Sequence, residues 1–140
     1  VDEQRPWVLD PVFVERSRPR AQFARSLIAR RPSTVRLNAA EFTAMSQAAP
    51  SEDALERYAL EQLGVVALTG VEDVITDGAR MVRIENGDSL MGKVTAMGCA
   101  GTALVAACLA VEADAWLATL AGLLQICRIK TRKNPPKKSR

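Results

Sequence analysis

Residues 86–102 read Asn-Gly-Asp-Ser-Leu-Met-Gly-Lys-Val-Thr-Ala-Met-Gly-Cys-Ala-Gly-Thr, and they join a polar turn to an apolar run of small residues. That run, residues 100–111, has the composition of a buried helix, so Gly98 and Cys99 are predicted to lie near a helix N-terminus. The first turn of a helix has unpaired N–H groups and a partial positive charge, which together attract anions. The stretch therefore predicts an anion site with a thiol beside it. The alternative is a buried cysteine on a packing face.

Strand and helix patterns alternate on both sides of this stretch. Strands are predicted at residues 7–12, 34–38 and 65–70, a hairpin about Asp77-Gly78, and helices at residues 17–31, 39–47, 51–63, 98–111 and 115–124. Ser17 and Ser51 are the expected N-caps, Gly64 is the expected terminator of the third helix, and Phe23, Leu27 and Ile28 are expected on the apolar face of the first. The alternation predicts an α/β fold with a mostly parallel sheet.

Polar residues stand at the predicted strand ends, where open α/β sheets bind their ligands. Asp10 and Arg36 stand at two such ends, and Arg36 offers a planar fork suited to phosphate. Asn38 and Glu41 follow the second strand, and a carboxylate there can hold magnesium through water. Each also has a local interpretation: Asp10 as a turn former, Asn38 and Glu41 as a helix cap, Thr69 as a strand cap.

Composition limits the classes of protein considered. An apolar fraction of 48% in 140 residues suits one modest domain, and no run of eighteen apolar residues indicates a membrane span. Three cysteines and no histidine favour reduced thiols in a cytoplasmic protein over disulfides or zinc.

Charge divides the chain in two. Residues 128–140 hold seven basic residues and no acid, whereas residues 1–127 hold 12 basic and 16 acidic residues. We expect a domain over residues 1–127 and a disordered basic tail over residues 128–140. A basic patch for nucleic acid would have to be the tail alone, so nucleic acid is not an expected partner.

The central stretch resembles the phosphate-site motif of hydroxyethylthiazole kinases, in the ribokinase-like superfamily. The pattern is Asn-Gly-(His/Asp)-x-Leu-Met-x-Lys-Val-Thr-Gly-x-Gly-Cys, and Ala96 replaces its first glycine. The residues that match it are Asn86, Gly87, Asp88, Leu90, Met91, Lys93, Val94, Thr95, Gly98 and Cys99. Upstream, Asp10-Pro11-Val12, Arg36-x-Asn38-x-x-Glu41 and Thr69-Gly70-x-x-Asp73 resemble three further motifs of the family.

The resemblance extends over residues 7–124 and implies a partial ribokinase-like three-layer α/β/α domain with a mostly parallel sheet and one β-hairpin. The N-terminal half of the family fold and its last helices have no counterpart in this sequence. We therefore expect a partial kinase, a fragment or a truncated product, with impaired activity by itself. The family's trimers, which build the active site between subunits, imply a homo-oligomer.

The activity that the resemblance implies is ATP-dependent phosphorylation of the hydroxyl of 4-methyl-5-(2-hydroxyethyl)thiazole in thiamine salvage. The alternatives are a kinase for a related small alcohol such as a hydroxymethylpyrimidine, and a non-catalytic remnant or interaction protein. The implied site residues are Cys99 as the catalytic base, Arg36 and Thr69 for ATP, Ala96 for the substrate, Met97 and Gly98 in the anion hole, and Glu41 and Asp10 for Mg²⁺.

Overall fold

The structure is a computed structural model that describes residues 5–85 and 97–132, with the side chains of residues 5–85 and 98–126. The strands are β1 Val8–Leu9, β2 Thr34–Leu37, β3 Val65–Leu68, β4 Glu72–Thr76 and β5 Met81–Glu85. The helices are α1 Arg18–Ile28, α2 Ala39–Ser46, α3 Glu52–Gln62, α4 Met97–Leu109 and α5 Ala115–Arg132, and a 3-10 turn spans Val14–Arg16.

The five strands form one sheet in the order β1-β2-β3-β4-β5. β1, β2 and β3 are parallel, with Leu9 opposite Val35 and Leu37 opposite Leu68. β4 and β5 form the antiparallel hairpin predicted about Asp77-Gly78, where Gly78 has a φ of +90°. Because the three parallel strands end at one edge, the residues that follow them meet there.

Helices cover both faces of the sheet, which confirms the three-layer α/β/α arrangement. Val35 and Leu37 of β2 point into a core shared with α1, α2 and α3, whereas the core on the other face is formed with α4 and α5. Thr34 points to the second face, where its hydroxyl lies 2.7 Å from that of Thr119 on α5. The alternation along β2 therefore directs Arg36 toward α4.

The predicted helix starts are confirmed, but one predicted stop is wrong. The hydroxyls of Ser17 and Ser51 accept hydrogen bonds from the first turns of α1 and α3. Leu63, not Gly64, has the left-handed conformation that ends α3, with a φ of 54°. A Cβ at Gly64 would lie 2.7 Å from the carbonyl oxygen of Pro32, so this glycine permits a close approach of two backbones.

The predicted apolar face of α1 is also wrong in one residue. Phe23 is 64% exposed, whereas Ala21 and Ala24 are buried. The small side chains of Ala21 and Ala24 allow this face of α1 to pack closely on the core. Phe23 therefore lies on a face of the helix that is turned to solvent. Leu27 and Ile28 are half-buried, as the apolar pattern requires.

The last helix is longer than predicted. α5 continues beyond Leu124 to Arg132, so the first residues assigned to a disordered tail are helical. Residues 133–140 lie outside the described part, and the division at residue 127 stays a prediction. No helix in residues 5–85 or 97–132 is long and apolar enough to cross a membrane.

Arg80 ties the hairpin to the start of α5. Its Nε donates to Asp77 Oδ2 at 2.7 Å, and its Nη1 and Nη2 donate to the two carboxylate oxygens of Asp114 at 2.7 and 3.0 Å. The guanidinium also lies 4.7 Å from the ring centroid of Trp116. Asp114 in turn accepts hydrogen bonds from the N–H groups of Trp116 and Leu117, so one carboxylate both caps α5 and holds the hairpin.

Because of the Asp114 carboxylate, we expect the free energy of unfolding to fall in acid. Hydrogen bonds from Arg80, helped by the N–H groups of Leu117 and Trp116, lower the pKa of Asp114 from 3.8 to about 2. The Asp114 carboxyl group binds its proton less tightly in the folded state than in the unfolded chain. The contribution of Asp114 to folding stability is therefore complete above about pH 5 and is lost as pH falls toward 2. Urea midpoints of the parent and Asp114→Asn should therefore differ at pH 7 and converge toward pH 2. A constant difference would contradict the assignment.

Candidate active site

The polar centre of the structure lies where the ends of β1 and β2 meet the first turn of α4. Asp10 directly follows β1, and its Oδ2 accepts a hydrogen bond from Arg36 Nη1 at 3.2 Å. The two side chains are only 13% and 16% exposed. Two residues that the sequence assigned to separate ligands, a metal and ATP, are therefore an ion pair with each other.

Thr102 joins this pair to α4. Its hydroxyl lies 2.5 Å from Asp10 Oδ2 and 3.2 Å from the carbonyl oxygen of Gly98, and one proton can serve only one of these acceptors at a time. The charged carboxylate is the stronger acceptor, so the Thr102 hydroxyl donates its hydrogen bond to Asp10. Sequence reasoning missed Thr102. Its signal is that it carries the only hydroxyl in the apolar run of residues 100–111.

Gly98 allows the first turn of α4 to lie directly on the Arg36 guanidinium. A Cβ at Gly98 would stand 3.1 Å from Nη1 and 3.2 Å from Nη2. The guanidinium charge and the positive end of the helix therefore act on the same small region, which favours an anion. Arg36 Nε is buried and has no hydrogen-bond partner among the described residues, so the guanidinium is not saturated by the protein.

Cys99 is exposed in the first turn of α4, next to this region. The alternative of a buried packing cysteine is therefore wrong for this residue, whereas Cys108, further along the same helix, is half-buried. An exposed thiol at a helix N-terminus is open to a ligand that the turn binds. Its role as a base stays a prediction.

Glu41 has both carboxylate oxygens occupied by backbone donors. Oε2 accepts from the N–H of Asn38 at 2.8 Å, and Oε1 accepts from the N–H of Phe13 at 3.1 Å. Asn38 Oδ1 accepts in return from the N–H of Glu41, which completes a capping box at the start of α2. The cap that the sequence offered as the local interpretation is thus present. Glu41 also fixes Phe13, whose φ is 58°, in the loop after Asp10.

Thr69 lies at the same edge of the sheet, after β3, but has a local partner. Its N–H and its hydroxyl both donate to the carbonyl oxygen of Leu37, at 2.8 and 3.4 Å. Asp73 Oδ1 accepts from the N–H of Gly70 at 3.0 Å and so closes the turn between β3 and β4. Neither Thr69 nor Glu41 has a hydrogen bond to the Asp10–Arg36–Thr102 cluster in the described structure.

The remaining predicted residues are located only in part. Met97 is the first residue of α4, so its backbone lies in the helical turn that would form the anion hole. Ala96 lies outside the described residues. Of the residues that the sequence predicted for the site, the structure places Asp10, Arg36 and Gly98 together with Cys99 in the same helical turn, and it adds Thr102.

The carboxylates fit a magnesium ion unequally. No group of three potential metal ligands occurs among the described residues, but magnesium commonly needs only one or two carboxylates together with water and substrate phosphates. Asp10 fits this donor set, since its Oδ1 has no partner among the described residues. Glu41 does not fit as a direct ligand, because it is 5% exposed and each oxygen already accepts a backbone hydrogen bond.

Similar solved structures have the same fold. A structure of hydroxyethylthiazole kinase protein from Pyrococcus horikoshii matches with a TM-score of 0.80 and 28% identity, over 94% of this chain and 55% of that chain. An ADP complex of Bacillus subtilis pyridoxal kinase matches with a TM-score of 0.63 and 26% identity, over 82% and 49%. Both likenesses support the ribokinase-like fold.

Sequence comparisons identify the family. Hydroxyethylthiazole kinase from Cereibacter sphaeroides is 42% identical over 132 residues, which are 85% of this chain and 50% of the relative. The chain thus spans about half the length of the relatives it matches. The model of the hydroxyethylthiazole kinase family matches residues 1–135. The chain belongs to the hydroxyethylthiazole kinase family.

Proposed function

We propose that this chain supplies the phosphate-binding half of a kinase that transfers the γ-phosphoryl group of ATP to the hydroxyl of 4-methyl-5-(2-hydroxyethyl)thiazole, in thiamine salvage. The observation that carries the proposal is the Arg36 guanidinium lying against the first turn of α4, with the exposed Cys99 in the same turn. Membership of the hydroxyethylthiazole kinase family supports the thiazole alcohol as the proposed substrate.

Phosphoryl transfer asks the protein mainly for positioning and charge stabilisation. The N–H groups of Met97, Gly98 and Cys99 belong to the unpaired donors of a helix start, and they would bind the oxygens of the transferred phosphoryl group. Arg36 would neutralise the charge that spreads over those oxygens, and Thr69 would bind ATP at the end of β3. Ala96 would meet the thiazole through its backbone.

Cys99 would act as the base. For this step Cys99 would have to be the thiolate: the substrate hydroxyl oxygen forms a bond to the γ-phosphorus, and the bond between that phosphorus and the leaving oxygen of ADP breaks. The hydroxyl proton passes to the thiolate Sγ of Cys99, which becomes the neutral thiol, and the electron pair of the broken bond leaves with ADP. Thr102 would keep Asp10 and the start of α4 in fixed positions during this step through its short hydrogen bond.

Magnesium would be held by Asp10, and Glu41 would contact it only through water. When bound, the ion neutralises phosphate charge on ATP. Oδ2 of Asp10 accepts the hydrogen bonds from both Arg36 and Thr102. These two bonds hold the carboxylate in one orientation and leave Oδ1 as the oxygen that would bind the ion. A homo-oligomer and a cytoplasmic location remain part of the proposal.

A second candidate is a kinase for another small alcohol of similar size. It is favoured by the likeness to a pyridoxal kinase, which acts on a different ring system with the same fold. A hydroxymethylpyrimidine would be such a substrate. Parallel assays with the thiazole and pyrimidine alcohols separate the two candidates.

We expect this chain alone to turn over hydroxyethylthiazole far more slowly than the rate of about 1 per second that is ordinary for enzymes. The reason is that it spans about half the length of its relatives. The assay compares the chain alone with a fusion in which it follows the first half of the Cereibacter sphaeroides relative. Activity in the fusion and not in the chain supports the proposal. Ordinary turnover by the chain alone would contradict the need for the other half.

A further inference from the structure

Arginine is concentrated in one short segment. Residues 16–31 contain six arginines and no acidic residue, whereas the rest of residues 1–127 contains six basic and sixteen acidic residues. All six arginines are exposed. They lie on α1 and on the residues that flank it, and we call them together the arginine surface: Arg16, Arg18, Arg20, Arg25, Arg30 and Arg31. The expectation that a basic patch would have to be the tail alone is therefore wrong. Residues 1–127 have a net negative charge, and this sum concealed the six arginines that cluster in residues 16–31.

The protein leaves most of this charge uncompensated. Arg20 Nη1 donates to the carbonyl oxygen of Val12 at 3.0 Å, and Arg25 Nη2 donates to that of Ala44 at 2.6 Å. These bonds orient the two guanidinium groups without neutralising them. Arg16 pairs with the neighbouring Glu15 and is still 70% exposed. Arg18, Arg30 and Arg31 have no side-chain partner among the described residues. Exposed guanidinium groups that have no carboxylate partner are suited to binding phosphate oxygens.

An exposed aromatic ring and a cleft lined by amide side chains lie beside the arginine surface. The ring of Phe23 is 64% exposed on α1. A cleft of about 320 Å³ opens between α1 and α2, and its polar lining residues are Glu15, Arg18, Gln22, Arg25 and Gln47. Side-chain amides carry a donor and an acceptor, as the edges of nucleobases do, and exposed aromatic rings stack on bases. The surface thus combines the three contacts that unpaired nucleotides use.

A membrane fits this surface less well. A helix that lies in a membrane interface presents a broad apolar face to lipid, but on α1 the apolar Ala21 and Ala24 are buried in the core. Phe23 is the only large apolar side chain exposed on α1. An acidic peptide would match the charge, but it would make no specific use of the exposed ring of Phe23 or of the side-chain amides of Gln22 and Gln47.

We infer that the arginine surface binds single-stranded nucleic acid, with the phosphates on the arginines and a base on Phe23 or in the cleft. α1 is about 16 Å long, so it contacts a few nucleotides, and only an unpaired strand presents bases that can enter a cleft. This binding is separate from the kinase site and requires neither ATP nor the thiazole.

The test is the fluorescence anisotropy of labelled oligouridylate, about 16 nucleotides long, titrated with the full chain at about 50 to 200 mM salt. The triple variant Arg18→Gln, Arg30→Gln, Arg31→Gln should bind at least about tenfold more weakly. Its plot of log affinity against log salt should flatten by about 2, since each lost phosphate contact on a single strand contributes about 0.7. Phe23→Ala should weaken binding about fivefold or more with no change in slope, because the ring carries no charge.

The matched control removes three charges from the other basic region, as Lys133→Gln, Lys137→Gln, Lys138→Gln. It should change affinity and slope less than the α1 variant does. Unaltered circular dichroism is expected throughout, because every substituted side chain in α1 and its flank is exposed. Equal binding by the parent and the α1 variant overturns the inference. So does loss of binding in the tail variant alone, or equal competition by duplex, by polyglutamate or by phosphatidylserine vesicles.

Discussion

Cys99→Ala in the fusion protein should lower kcat for thiazole phosphorylation about 10²–10⁴-fold, the usual contribution of a general base. Affinity for ATP should change much less, because Cys99, as the thiolate, is asked only to take the proton of the alcohol. Nucleotide phosphates would be held by Arg36 and the N–H groups of α4, none of which needs the sulfur. Steady-state kinetics with ATP and the thiazole varied separately give both quantities.

Two companion variants make this result interpretable. Cys108→Ala changes a half-buried thiol on the same helix and should leave kcat unchanged. Cys99→Asp should keep measurable activity, since a carboxylate at this position can also accept the proton of the alcohol. Parental turnover by Cys99→Ala would remove Cys99 from the mechanism while leaving the proposed phosphate site in place.

Gly122→Ala should destabilise the fold by about 1–3 kcal/mol, the usual cost of forcing extra volume into a packed contact. A Cβ at this position would lie 2.7 Å from both the backbone N and the Cα of Val105, where α5 crosses α4. Backbone atoms cannot rotate away as the end of a side chain can, so the two helices must separate. Urea unfolding followed by circular dichroism measures the loss.

Gly101→Ala is the matched control for this variant. Gly101 is also a helical glycine facing the contact between α4 and α5, but its added Cβ would meet only ordinary contacts, the nearest being Leu123 Cδ2 at 3.7 Å. Alanine is favoured over glycine in a helix by up to about 1 kcal/mol, so stability should stay equal or rise. Equal losses in the two variants would show that the close crossing at Gly122 is not the cause.

Local signals predicted the helices and strands well because they act over a few residues. Ser17 and Ser51 cap the helices that they were expected to cap, and Asp77-Gly78 turns the hairpin. The failures came from contacts distant in sequence. Phe23 turned outward because Ala21 and Ala24 pack on the core. Leu63 ended α3 because Gly64 was needed beside Pro32.

The sequence indicated which residues would lie near one another at the candidate site, but it did not indicate which side chains would bind each other. Parallel strands place Asp10 and Arg36 at one edge of the sheet, and the small-residue motif places Gly98 and Cys99 above them. That Arg36 would bind Asp10, and that Thr102 would join both to α4, depends on side-chain directions that span 26 and 92 residues of sequence. Glu41 shows the opposite case, since its capping box with Asn38 was readable from their spacing.

The central claim is that Arg36 and the first turn of α4 hold the phosphoryl group that is transferred. The most direct measurement is the transfer of labelled γ-phosphate from ATP to hydroxyethylthiazole by the fusion protein, with Arg36 intact and as Arg36→Gln. The account predicts labelled thiazole phosphate from the parent and a turnover lower by about 10²–10³-fold in the variant, as when one donor to a developing charge is removed. Equal turnover in the two proteins would contradict the account.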